Sequence, residues 1–522
     1  MANAGPGVRS WPWAGADRLN GSASDAVASR AGLWLVLAVA FAIRLWVLAT
    51  HTYVVQPDET FQYLEPAHRL LFGSGVITWE FLDGIRSWFL PGILAGVMWV
   101  TSLVSPEPTA YVMVARLLCI VASLSIPFVG HQLAARRFGP APALLVGLLC
   151  ALSYDAVYFA DTIITEPLAT DAALLAIWCG DGAPVHRRDR RRPLVAGFLF
   201  GLAATLRWQY APVLALTAAA QYVRQPRSLA WVVTGGMSVV VPVLGGLDAL
   251  TWGLPFQSVW LNYVLNEGHG FSGAMGTETW YFYLAYYSVA AGVLIGPLAL
   301  CVLIGLVRLP IVAIVTLATI GLHMLVPHKE LRFVFLATAC IPMLIGVGAA
   351  TLLGRVRRLR SSLMSLRATA AIGVLIAATT ALLTYTNATP ADAWHRYRSI
   401  SQATAMAREV PGVCGFGVRD AGVYVTGGYT YWHRDVPIYY ELWDASQHIK
   451  GSNVWLRLDS VLDGRSVPQF PDLSFPAHAS RFNVMISEES GGLPGFDKQK
   501  CFGAGSIDDR IFCVYTRPGG CE

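Results

Sequence analysis

Charge is what this sequence has least of. Among 522 residues only 14% are charged and 55% are hydrophobic, whereas a soluble domain carries about a quarter charged residues. The shortage is made up by long apolar runs, which points to a bilayer as solvent. Lysine is nearly missing: Lys329, Lys450, Lys498 and Lys500 are the only four, so arginine supplies the positive charge. Arginine with abundant Ala and Gly is the composition of a GC-rich, bacterial genome. The net charge of +5 is small for the length and leaves no footprint for a nucleic-acid partner. No Walker or GxGxxG loop occurs, so soluble nucleotide binding has no support. No CxxC or HExxH spacing occurs either, and His131, His323 and His328 are scattered. No metal signature results, and dependence on a divalent ion is left open.

What is present is a series of runs near the 20 or so apolar residues that a span takes. The candidates are 32–50, 111–134, 140–159, 167–180, 194–206, 209–223, 228–249, 286–307, 309–326, 333–353 and 368–386, about 11 helices. The first run outlasts the roughly 7–15 residue core of a cleavable signal and contains Arg44, so it reads as a retained anchor. With the tail 1–31 in the cytoplasm, every basic cluster falls inside: Arg136-Arg137, His186 to Arg192, Arg224 and Arg227, Arg308, and the run at 355–360. The apolar segment 88–104 contains Pro91, Gly92 and Gly96. Counting it as a span would move every later cluster outside. It is therefore expected to be a re-entrant or interfacial helix; the alternative is a twelfth span with one short span removed.

The outer side then holds the first loop 51–110, the turn Asp161–Glu166, the loop 250–285, the turn at His328 and the tail 387–522. Cys414, Cys501, Cys513 and Cys521 all lie in that tail, which implies disulfides and an oxidising compartment. Four cysteines allow three pairings, and the sequence does not choose. The runs GVYVTGGYTYW, VPIYYEL, RFNVMIS and RIFCVYT read as strands and Ala391 to Arg408 as a helix. The expected architecture is an α-helical polytopic membrane domain, 32–386, followed by a mixed α/β extracytoplasmic domain.

Candidate chemistry gathers on the outer side. Pro57 suits the first turn of a helix running to about Phe72. Asp58 and Glu59 then sit at the positive end of the helix dipole, which favours an ionised carboxylate, the form a general base needs. Asp58, Gln62 and Glu65 make one polar face. The plainer reading is an acidic helix start. Arg44, near the outer end of the first span, is either functional or snorkelling to the interface. Asp161 and Glu166 add carboxylates, or cap the next helix. His328, Lys329 and Arg332 place three basic groups at the outer surface, against the topological bias. They suit a phosphate, or an interfacial anchor. Arg207, between two short spans, is a further candidate for an anionic head group. Glu278 and Trp280 lie in an aromatic outer element that also reads as interfacial belt.

Together these segments resemble glycosyltransferase family 22, the GT-C-fold α-mannosyltransferases of N-glycan and GPI-anchor assembly. QPDETFQYLEPAHRLLFGSGVITWEF with GIRSWFLPG is similar to the family's first-loop signature, HKELRFVF to its HKE-x-RF hallmark, and DALTWGLP, NYV and GTETWYFY to a third motif. The likeness covers roughly residues 30–350 and is nearest to the GPI third-mannose branch and its bacterial relatives. Gln56 departs from the His of many members. The resemblance implies an inverting transfer of mannose from a polyprenyl-phosphate donor to a glycan or glycolipid acceptor, at the periplasmic or ER-luminal face of the membrane. It implies no certain cofactor beyond that lipid-linked donor. Asp58 is then the base, with Glu59 beside it. His328, Lys329 and Arg332, with Arg44 and Arg207, become the donor-phosphate ligands. Gln62, Asp161, Glu166, Glu278 and Trp280 become substrate contacts. Asp58 and Arg332 are expected to face one cavity without a tight salt bridge, and the lipid tail to lie between 88–104 and 286–307. The competing classes are a transferase of another sugar and a flippase of lipid-linked sugars, which would favour midplane charges and inverted repeats. A third is a non-catalytic scaffold, which would tolerate Asp58→Asn.

Overall fold

Apolar runs bounded by proline and glycine become helices of the expected kind. The structure, a computed structural model, describes residues 23–50, 56–76, 78–181, 190–268, 271–274, 276–359, 397–421, 426–440, 476–489, 492–503 and 510–521. Among them, five helices are long and apolar enough to cross a membrane: Asp25–Thr50, Pro108–Phe138, Pro226–Trp252, Phe282–Arg308 and Leu331–Arg355. Shorter helices fill the remaining expected spans: Pro140–Leu152, Thr165–Gly180, Arg191–Leu206, Ala211–Tyr222 and Pro310–Met324. Proline opens several of them, where its missing N–H costs nothing. The expected span 368–386 lies outside the described residues. The segment 88–104 forms the helix Phe89–Ser102, 14 residues long. At 1.5 Å per residue it reaches about 21 Å, short of the roughly 30 Å hydrocarbon core.

Lipid offers no hydrophobic drive between helices, so close backbone approach must supply the packing. Helices Arg191–Leu206 and Pro226–Val240 meet through Gly197, Gly201 and Gly235. A Cβ on Gly197 would stand 2.0 Å from the Val232 carbonyl oxygen, and one on Gly235 2.2 Å from that of Leu194. Arg44 staples other helices. Its guanidinium donates to Ser123 Oγ at 3.0 Å and to the carbonyls of Ala40, Ala151 and Ala156 at 3.0, 3.1 and 3.2 Å.

The tail forms a five-stranded mixed sheet in the order β2-β1-β3-β5-β4. Its strands are β1 Phe416–Val418, β2 Ile438–Tyr440, β3 Val484–Glu488, β4 Asp497–Phe502 and β5 Phe512–Thr516. β1 runs parallel to β2 and β3, and β5 pairs antiparallel with β3 and β4. Helix Arg398–Glu409 packs on β3, β4 and β5. The disulfides are Cys414–Cys521 and Cys501–Cys513. One expectation fails: within GVYVTGGYTYW, Gly428–Trp432 is a helical turn. Positive φ at Gly427 and Gly428 bends the chain, and Glu65 of the first loop accepts the turn's Thr430 N–H. The apolar core of the tail also takes in Phe61 and Val76 from that loop, so the two are packed as one.

Candidate active site

Gln56 and Pro57 start the helix that leaves the first span, with Glu59 N–H bonded to the Gln56 carbonyl at 3.0 Å. The helix widens into a π-helical stretch, Glu59–Leu64, before continuing as Glu65–Phe72. Wide turns of this kind are uncommon and concentrate at functional sites. Here the adjacent acids part company. Glu59 is buried against Arg116 of the span Pro108–Phe138, Oε1 to Nε at 3.0 Å. Asp58 faces the other way, and its side chain is 31% exposed.

The Asp58 partner is Arg332, with Nη1 to Oδ2 at 2.5 Å. The two groups meet as the sequence suggested, but the expected absence of a tight salt bridge is overturned. The reason is that Arg332 stands among carboxylates: Glu330 at 2.8 Å and Glu166 at 3.8 Å. Glu166 in turn binds Arg207, Oε1 to Nη1 at 3.2 Å. Arg207 and Arg332 both lie over the Phe333 ring, at 5.0 and 5.4 Å. Burial alone would raise the Glu330 carboxyl, yet His328 and Arg332 outweigh it and hold it at about 2. The Glu330 hydrogen bond in return pushes His328 above its usual value.

The other basic groups of this turn are occupied. His328 Nδ1 pairs with the Gly276 carbonyl at 2.9 Å and Nε2 with Glu330 at 3.2 Å. Lys329 is buried and donates to the Val326 carbonyl at 2.5 Å and more weakly to that of Glu278 at 3.4 Å. Glu278 and Trp280 lie exposed on the loop that pairs with this turn, Glu278 N–H bonding to Pro327 at 3.0 Å. Arg44, with four bonds inside the helix bundle, holds helices together where the sequence suggested a phosphate ligand. Gln62 donates to Glu80 Oε1 at 3.1 Å. Asp161 is buried in the field of Arg116, and desolvation pushes its carboxyl upward against that charge. Among the described residues no group of three His, Cys, Asp or Glu is arranged to hold a metal.

The space beside this network is a cavity of about 60 Å³. Arg86, Arg207, Tyr63, Thr205, Ser258 and Asn262 contribute to its wall. Three donors there are buried without a hydrogen-bond partner among the described residues: Arg86 Nε, Arg207 Nε and Thr205 Oγ1. Buried donors of that kind are costly unless something accepts from them. Asp58 lies within electrostatic reach of Arg86. Phe89 and Leu90 of the 88–104 segment reach this cavity, where they meet Leu244, Ser258, Val259 and Asn262. Arg86 sits in the motif GIRSWFLPG and Arg116 in an apolar span; both escaped sequence reasoning. Arg116 carried a usable signal, since a charge inside a span is a functional candidate by default.

The family model described as the Alg9-like mannosyltransferase family matches residues 34–424. The chain belongs to this family. It is 30% identical over 342 residues to GPI mannosyltransferase 3 of Yarrowia lipolytica, covering 63% of this chain and 64% of that protein. It is 27% identical over 353 residues to GPI mannosyltransferase 3 of Trypanosoma brucei brucei, covering 58% and 62%. The match thus spans a little under two thirds of the length of these relatives. Among solved structures, ArnT from Cupriavidus metallidurans bound to undecaprenyl phosphate aligns with a TM-score of 0.58 at 14% identity. The alignment covers 94% of this chain and 98% of that one, and the shared fold is GT-C. The family member described here is accordingly a multi-pass membrane protein.

Proposed function

We propose that this family member moves mannose from a polyprenyl-phosphate donor to a lipid-linked or surface glycan acceptor on the extracytoplasmic face, with inversion and with Asp58 as base. The observation that carries the reading is a partly exposed carboxylate held by Arg332, joined through Glu166 and Arg207 to a cavity whose two arginines keep Nε–H donors without a partner among the described residues. Phosphate is one of the two anions, with carboxylate, that such planar donors suit. The relatives named GPI mannosyltransferase 3 support the sugar, and the ArnT complex with undecaprenyl phosphate supports a lipid phosphate as ligand.

The chemistry follows from these positions. The acceptor hydroxyl oxygen attacks the sugar's anomeric carbon, and its proton passes to the Asp58 carboxylate. The bond from that carbon to the phosphate oxygen breaks, and the lipid phosphate leaves with the electron pair. Negative charge grows on the leaving phosphate, so fixed guanidinium groups stabilise the transition state more than the ground state. On this reading Arg86 and Arg207 are the donor-phosphate ligands. Arg332 holds Asp58 through one oxygen, and the exposure of the side chain gives the acceptor access. His328, Lys329 and Glu330 shape the turn that presents Arg332. The ionic groups cluster beside the outer ends of the helices, which favours an interfacial enzyme over a flippase.

The test supplies the purified full chain with radiolabelled polyprenyl-phosphate-mannose and a lipid-linked glycan. Release of polyprenyl phosphate together with a mannoside of opposite anomeric configuration supports the proposal. Retained configuration sinks the single-displacement scheme, and donor translocation between leaflets without transfer favours the flippase.

A further inference from the structure

The helix that carries Asp58 is held in an unusual shape, and the tail does much of the holding. The π-helical stretch Glu59–Leu64 inserts extra backbone between Asp58 and Glu65. Such a stretch persists when its surroundings over-determine it. Three grips act on it. Arg116 fixes Glu59 at one end. Phe61, in the middle, is buried in the apolar cluster formed by Ile400, Phe416 and Trp432 of the tail. Glu65, just past the other end, accepts from Val76 N–H at 2.7 Å and from both Thr430 N–H and Thr430 Oγ1 at 2.5 Å. Two of the three grips therefore belong to the tail.

The contact has a matched register. Glu65 and His68, three apart on the first-loop helix, meet Thr430 and His433, three apart on the tail; the His68 Nε2 to His433 Nδ1 distance is 2.9 Å. Tyr111 donates its hydroxyl to the Thr430 carbonyl. Gly428, at φ +58°, leaves no room for a side chain: a Cβ would stand 2.6–2.9 Å from the Glu65 carboxyl atoms.

We propose that docking of the tail keeps the Glu59–Leu64 turn wide and so holds Asp58 where it can take the acceptor hydroxyl proton. Thr430 is a positioning residue, acting through Glu65. The kinetic side of this proposal rests on Asp58 being the base; the structural side does not.

The test uses the full chain with both disulfides intact. Thr430→Val removes one hydrogen bond to Glu65. It should speed deuterium exchange of the amides of 58–65 at least tenfold and lower kcat at least tenfold, with donor KM within twofold. Thr430→Ser should recover most of the loss. Adding Glu65→Gln to Thr430→Val should lower kcat little further, because both act on one contact. Unchanged exchange in Thr430→Val overturns the docking role outright. If the wild-type chain transfers no sugar, the transferase reading falls, while the exchange result still decides the docking proposal.

Discussion

Replacing Arg86 by methionine isolates the proposed phosphate contact better than any other change. Arg86 is tied to the protein only loosely, its Nη2 standing 3.8 Å from Glu80. When the guanidinium is gone, Glu80 keeps the Gln62 amide at 3.1 Å, so no buried carboxylate is left bare. Arg207 is the poorer target, because its loss leaves buried Glu166 with Arg332, at 3.8 Å, as its remaining cation among the described residues. A hydrogen bond to a charged group contributes about 1.5–3 kcal/mol. At about 1.4 kcal/mol per decade, that is a loss of roughly 10- to 150-fold in donor affinity. The assay titrates polyprenyl-phosphate-mannose against the detergent-solubilised chain at saturating acceptor. Donor KM should rise by that factor while acceptor KM stays within about twofold. A donor KM equal to wild type would remove the Arg86–Arg207 cavity as the phosphate site.

Four further outcomes follow from other parts of the molecule. Arg44→Met should destabilise the helix bundle by on the order of 2 kcal/mol or more, seen as a lower melting temperature, and leave donor KM unchanged; a raised donor KM would return Arg44 to the site. Gly197→Ala pushes a methyl to 2.0 Å from the Val232 carbonyl, and such overpacking costs about 1–3 kcal/mol; an unchanged melting curve would contradict that helix contact. Burial raises the Glu65 carboxyl to about 7, against the hydrogen bonds from Thr430 and Val76. Against the opposite slope of the His68–His433 pair, which burial holds below the usual histidine value, Glu65 lets the docked state hold an extra proton, so its contribution to docking is full below about pH 4.5 and is lost as pH rises through about 7. Glu65→Gln should abolish that loss in a pH series of deuterium exchange, and a slope unchanged in the variant would refute the assignment. Cys414–Cys521 closes a long loop, so Cys414→Ser should lower tail stability by about 2–5 kcal/mol, read by denaturant unfolding with and without reductant.

The parts of this molecule that were legible in the sequence are those set by solvent. Apolar runs and basic clusters located the helices, and the same count put Asp58 and Arg332 on one side, where they meet. What the sequence could not convey is which way a side chain turns once buried. Arg44 and Arg116 are both arginines in apolar spans. One faces backbone carbonyls and the other Glu59, and nothing in their neighbours along the chain separates the two cases. Asp58 and Glu59 look alike as neighbours. The π-helical turn that sends them to different surroundings depends on Arg116 and on the tail. The GGYTYW run illustrates the same limit from the other side. Its aromatic composition suits a strand, and local preference of that kind yields to context. Here the context is the Glu65 carboxylate at 2.5 Å from the Thr430 amide, on a partner far away in the chain.

The central claim is that Asp58 takes the proton of the acceptor. Single-turnover transfer from polyprenyl-phosphate-mannose, compared between the wild-type chain and Asp58→Asn with donor binding measured alongside, tests it most directly. Loss of a general base typically costs about 10²- to 10⁴-fold. The account predicts a loss of that size in Asp58→Asn, with donor affinity within about threefold of wild type. Transfer at the wild-type rate by Asp58→Asn would contradict it.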